Sequence, residues 1–191
     1  MPKFKRRRKN IPVERALKGR FNVVEDVEIG EDSEIHNFCV IKKSEIGKNT
    51  KIWNFVNIYK SKIGNDCTIS SFVEIGGATI GNNCKIEAGA FIPLGITIGN
   101  DVFIGPGVKF ANDKYPKVAD GEWSWTVGNV KVGNNVAIGI NTTILPNVTI
   151  GDHAFIAANS LVASDVPPNS FAMGRPAHVV SIQTLKELKV L

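Results

Sequence analysis

The chain has 191 residues, 43% of them apolar, enough for one domain of ordinary size with a buried core. No run approaches the roughly 18 consecutive apolar residues of a membrane span, and no apolar stretch follows the basic N-terminus as a secretory signal requires. A cytoplasmic protein with no membrane span is therefore expected. The net charge of +5 is concentrated: residues 1–10 hold six of the 23 Lys and Arg and no acid, and the body carries 17 basic against 18 acidic residues.

The tail, residues 1–10, reads as a solvated arm, or as an electrostatic guide for polyanions. No aromatic platform or recognition motif accompanies it, so nucleic acid is not an expected partner. Residues 11–191 read as a single domain. At its start, Asn10-Ile11-Pro12 before VERALK predicts a short helix capped by Asn10, with Pro12 near the first turn.

A repeat then dominates. Ile-Gly or Val-Gly recurs at 29, 46, 63, 80, 98, 132 and 150, in steps of 17, 17, 17, 18, 34 and 18 residues. Sixteen hexapeptides follow, fifteen led by Ile and one by Val, with third segments of the early coils one residue short. Four residues after each leader comes a small or β-branched side chain, as at Ser33, Cys39, Val56, Ala90 and Thr142; only Ile96 in this column is large. A period of six fits neither an amphipathic helix nor a simple strand. It fits a triangular coil of three short strands, stacked at about 4.8 Å, with the leader pointing inward and a small residue near each corner. Gly and Asn after the leader supply the backbone conformations of tight corners. Cys39, Cys67 and Cys84 all fall in the small inward column and read as reduced core residues, not metal ligands.

The 34-residue step is one coil plus an insertion within about 111–129, containing ANDKYPKVADGEWSWTVG. Such a loop in an economical repeat points to function, and its aromatic residues to order. After the coils, Val166-Pro167-Pro168-Asn169 breaks the repeat. The tail of about 168–191 contains GRPAHVV and a helix expected from about 181 to 190.

This pattern resembles the hexapeptide-repeat acyltransferase superfamily over about residues 29–167. The resemblance implies an all-β, left-handed parallel β-helix of about seven coils, an exception to the right-handed crossover rule. It also implies a homotrimer with active sites between subunits, and a long loop covering an acceptor site. The last coils and Gly174-Arg175-Pro176-Ala177 resemble the acetyl-CoA-binding end of sugar acetyltransferases. Gly139, Ala157 and Ala158 are candidates to offer exposed N–H groups to the pantetheine arm and thioester oxygen, with Arg175 and Pro176 near the CoA phosphates.

FANDKYPK (110–117) resembles a segment of nucleotide-linked amino-sugar N-acetyltransferases, which acetylate UDP- or dTDP-amino sugars. Asn112, Asp113, Tyr115 and Pro116 match; Lys117 stands where Arg is typical and lacks its bidentate phosphate fork. Asn112 and Asp113 are candidates to hold sugar hydroxyls or the ammonium; an Asx turn opening the loop is the other reading. In sugar O-acetyltransferases of the superfamily a catalytic His stands where this chain has Asn141. A hydroxyl acceptor needs a general base, whereas an amine with a pKa of roughly 8 is partly neutral at pH 7, so Asn141 favours an amino acceptor. Close relatives carry His or Asn where this chain has Phe72, which makes Phe72 a candidate substrate contact. Glu74 is the nearest outward group able to take a proton, with Glu87 a weaker candidate.

The sequence thus predicts an acetyl-CoA-dependent N-acetyltransferase of a nucleotide-linked amino sugar for surface polysaccharide or glycan synthesis, with no metal. Three alternatives stand beside it. One is a sugar O-acetyltransferase using His153 or Glu74 as base. Another is a non-catalytic β-helix scaffold. The third is a metal-dependent carbonic anhydrase of the same fold, opposed by His36 and His178 lying at opposite ends.

Overall fold

The computed structural model describes residues 10–119, 122–124, 126–181 and 186–187. Three parallel ladders wrap one core, forming a left-handed β-helix. The first face stacks the strands Glu34–Ile35, Lys51–Ile52, Thr68–Ile69, Lys85–Ile86, Phe103–Ile104, Ala137–Ile138, Phe155–Ile156 and Phe171–Gly174. The second face runs from Val23 through Val40, Asn57–Tyr59, Glu74–Gly76, Phe91–Ile92, Lys109–Phe110 and Thr143–Ile144 to Leu161–Val162. The third ends with Thr149–Ile150 and a bridge to Val166. Among the described residues the ladders make about eight turns. The hexad leaders suggest about seven coils; Val23–Ile29 and Phe171–Gly174, which lack the full motif, complete the first and last.

The leaders stack as the period requires. Ile35, Ile52, Ile69, Ile86, Ile104, Ile138 and Ile156 form one inward column, in direct register and fully buried. Burying each contributes about 1.5–3 kcal/mol. The missing residue of the 17-residue coils comes from the corner between second and third faces. There Val23–Ile29 and Val40–Ile46 run through without a break, turning on Asp26 and Lys43 at φ 54 and 50°. Ile41, Ile58 and Ile75 are consequently the unread leaders of the second face, all buried.

At the corner between third and first faces the Ile-Gly motif has a steric cause: a Cβ on Gly47 would collide with the carbonyl of Gly64 one coil above. An amide ladder runs beside it, each side-chain oxygen accepting the backbone N–H of the previous coil, from Asn65 through Asn82, Asn100 and Asn134 to Asp152 at 2.7–3.0 Å. Buried hydroxyls and thiols close onto neighbouring carbonyls, as Ser33 Oγ donates to Gly47 O at 2.7 Å and Cys84 Sγ to Gly99 O at 3.2 Å. All three cysteines are free and buried, and burial pushes the Cys39 thiol up.

The N-terminal helix is the single turn Val13–Ala16. Its cap differs from expectation. Pro12 occupies the N-cap position without a side-chain bond, while Asn10 bridges Gly30 and donates to Glu28 Oε2 at 3.2 Å. The edge of the first coil offers Asn10 a better partner than the helix does. Of the expected C-terminal helix, Ser181, Lys186 and Glu187 are described; the last two are helical and Ser181 is not. Among the described residues, no helix is long and apolar enough to cross a membrane.

Candidate functional site

The corner between first and second faces changes character halfway along the coil. In the lower coils Phe21, Phe38, Phe55 and Phe72 all take left-handed φ of 58–63°. Their rings stack at 4.9–5.1 Å between centroids, close to the strand spacing, and stand partly in solvent. Beside them His36 stacks on Trp53 at 4.6 Å.

One coil above Phe72 the column continues as Gly89, then Gly107, Asn141 and Asn159, all at positive φ. A Cβ on Gly89 would meet nothing within 4 Å, so the upper ring face of Phe72 looks into open space. The Asn141 side chain reaches over Gly107 from above. The neighbouring column shrinks likewise, from Trp53 and Ser70 to Gly105, Gly139 and Ala157. A recess opens at Gly89, with Phe72 at its lower end; at Gly105 and Gly139 the backbone of the next coil fills the place a Cβ would take.

Glu87 stands at that lower end. Its carboxylate accepts from Ser70 Oγ at 3.1 Å and pairs with Lys85 Nζ at 2.9 Å. The bond from Lys85 outweighs partial burial and holds Glu87 below the usual carboxylate range. At the upper end the chain turns back as an antiparallel hairpin, Phe171–Gly174 against Ala177–Val180. Arg175, in its turn, donates from Nη1 to Asn159 Oδ1 at 3.1 Å, and the Gly174 N–H donates to Ser160 Oγ at 3.3 Å. Pro176 is exposed in the same turn.

One expectation about this corner needs correction. The N–H of Gly139 donates to Ile156 O at 2.8 Å and that of Ala157 to Ala172 O at 2.9 Å, so the ladder consumes both. Of the three amides expected to face a ligand, only Ala158 keeps its N–H outside the ladder among the described residues. Gly139 and Ala157 contribute the lack of a bulky side chain instead.

The insertion leaves from the corner between second and third faces. Asn112 O accepts the Gly128 N–H at 2.7 Å, closing the loop mouth, and Asn112 Nδ2 donates to Leu94 O at 3.1 Å. Asp113 bridges Val127, and its Oδ1 accepts the Tyr115 N–H at 2.9 Å, which is the Asx turn weighed from sequence. Its Oδ2 is buried and has no hydrogen-bond partner among the described residues. An open cleft of about 410 Å³ lies here, lined by Asp113, Tyr115, Lys117, Pro146 and Asn147. Lys117 opens the hairpin strand Lys117–Ala119, which pairs with Glu122–Ser124. Trp125 lies outside the described residues, and the Trp123 side chain likewise.

Within one chain the candidate residues therefore form two groups. Phe72, Gly139, Asn141, Ala157, Ala158, Arg175 and Pro176 share the first corner; Asn112, Asp113, Tyr115 and Lys117 share the second. Glu74 lies on the face between, accepting from the Tyr59 hydroxyl at 3.3 Å. His153 turns the third corner at φ 58°, away from both groups. Among the described residues, no group of three or more His, Cys, Asp or Glu is placed to hold a metal. Sequence reasoning missed Tyr59 and Phe91, which wall a second cleft beside Asn112. A signal existed: Gly76 falls 17 residues after Tyr59, a coil later, leaving room for the ring.

Comparison with known proteins gives the same architecture. The chain is 38% identical over 87 residues to galactoside O-acetyltransferase of Escherichia coli, covering 44% of this chain and 43% of that one. It is 36% identical over 108 residues to protein CapG of Staphylococcus aureus, covering 52% and 59% respectively. The chain thus spans about half the length of the curated relatives it matches. A solved UDP-N-acetylglucosamine acyltransferase superposes with a TM-score of 0.75 at 23% identity, covering 97% of this chain and 76% of that chain, a likeness of fold. The signature described as bacterial transferase hexapeptide (six repeats) matches residues 43–77, 60–94 and 129–164. Taken together, the coils, corners and sequence matches show that the chain carries bacterial transferase hexapeptide repeats over residues 43–94 and 129–164.

Proposed function

We propose that the chain is a cytoplasmic, acetyl-CoA-dependent N-acetyltransferase that acts on a nucleotide-linked amino sugar, UDP- or dTDP-bound, in surface polysaccharide or glycan synthesis. The observation that carries this reading is the first corner. Among the described residues nothing lies within 4 Å of where a Gly89 side chain would start, and the corner ends at an anchored guanidinium. The donor supplies an acyl group activated as a thioester. The Ala158 N–H and Asn141 side chain are the donors assigned here to its developing oxyanion, and Arg175 suits a phosphate.

An asparagine cannot take a proton at neutral pH; it can only orient and donate. That suits an amine, part of which is already neutral, and fails a hydroxyl. Phe72 would offer its open ring face to the acceptor, with Glu87, held ionised, beside it. Asp113, with one buried carboxylate oxygen unpartnered, suits the acceptor ammonium. The two groups lie on different corners, so they can serve one reaction only if two protomers meet. This supports a homotrimer with its sites between subunits, which sedimentation analysis tests.

The E. coli relative favours a second reading, hydroxyl acetylation. Its base would have to be Glu74 or His153, and His153 sits on the wrong corner. Release of free CoA with matched amino and hydroxyl sugars decides the matter. Turnover with the amino sugars alone is expected; turnover confined to hydroxyl sugars ends the amine reading.

A further inference from the structure

The second cleft at the loop corner has no role in the preceding account. It measures about 380 Å³, within the range of small-molecule sites, with Tyr59, Phe91 and Leu94 as walls and Gly76 and Gly77 as floor. The Tyr59 ring lies where a Gly76 side chain would stand, and its hydroxyl donates to Glu74. Burial, and then the Glu74 charge, push the Tyr59 phenol up, which keeps it a donor at neutral pH. Phe91 follows Glu74 in the same outward row one coil later.

The rim is cationic. Lys60 lines the cleft, and Lys43 turns the same corner one coil below, both at φ 50°. No ion pair engages either among the described residues. Asn112 closes the opposite side with its amide nitrogen held by Leu94 O, leaving its oxygen as an acceptor. Aromatic walls, a carboxylate and an amide beside them, and ammonium groups at the mouth are the complement of a flat base joined to phosphates.

We propose that this cleft binds a pyrimidine nucleoside diphosphate, the base lying against Tyr59 and Phe91 and the phosphates at Lys60. The inference rests on the nucleotide-linked acceptor proposed above and assigns the part of that molecule away from the reacting nitrogen. Glu74, which holds the Tyr59 hydroxyl, then positions that ring; it is not the proton acceptor of the reaction.

The test is calorimetric titration of the full chain with UDP and with dTDP, for the wild type, Phe91→Ala and Lys60→Gln. Loss of a stacking partner is expected to weaken binding about tenfold or more, and loss of the charge by about tenfold. CoA titrated into the same samples is expected to bind all three alike, which shows that the variants fold. Absence of binding of both nucleotides to the wild type, or equal binding by the variants, overturns the proposal. Because CoA is measured separately, failure here is distinct from failure of the acetyl-transfer reading.

Discussion

The lower and upper halves of the first corner share a backbone trace and differ in what stands on it. Below, four phenylalanines in left-handed conformation stack into a rod of rings. Above, Gly89 and Gly107 hold that conformation without a side chain, and Asn141 and Asn159 hold it with an amide. The left-handed region is uncommon for bulky residues, yet the stacked coil enforces it at every rung. The corner is thus a fixed socket, and the side chain placed in it decides whether a coil is sealed or open.

Breaking this contrast should have its largest effect by sealing an open coil. Gly89→Phe extends the rod into the recess; acetyl transfer and CoA binding should fall to the detection limit while circular dichroism stays that of the β-helix. Next comes Asn141→Ala, which keeps the recess and removes its amide. Steady-state turnover is expected to drop about a hundredfold, as for loss of an oxyanion donor, with KM for acetyl-CoA little changed.

Changes in the sealed half should move stability and not turnover. Phe38→Ala removes two stacking contacts and should cost about 1–3 kcal/mol in denaturant unfolding. Phe72→Ala removes one, so about half as much, but should raise KM for the acceptor. A turnover defect in the Phe38 variant would erase the distinction between the halves.

The smallest effect is a pH dependence at the boundary. Glu87 is held below its ordinary pKa of 4.5 in the folded state, so its pairing with Lys85 stabilises above that value and fades as pH falls through the folded pKa. Glu87→Gln should therefore cost under about 1 kcal/mol at pH 7, given solvent screening, and nothing in acid below that pKa. Chemical denaturation at pH 7 and at successively lower pH values measures the difference.

The core was legible in the sequence because a hexad leader is forced inward by geometry alone. The second-face leaders Ile41, Ile58 and Ile75 escaped because a corner shortened by one residue shifts the period from six to five. Asn141 and Arg175 could be singled out from motif position. The status of the Gly139 and Ala157 amides could not, since each bonds to a coil 15 to 17 residues further on and small side chains carry no trace of that. The Asn10 cap failed for a similar reason: its partner, Glu28, lies 18 residues away. Local motifs report what a residue can do, and the stacking of remote coils decides what it does.

The loop mouth, closed by the Gly128 to Asn112 bond and the Asp113–Val127 bridge, bears on how such a chain diversifies. Phe110 and Val130 resume their ladders on either side as though nothing intervened. Since each rung leans only on its immediate neighbours, the excursion between them is mechanically decoupled from the tube. Variation can accumulate there, in length as well as in sequence, without renegotiating the architecture that carries it.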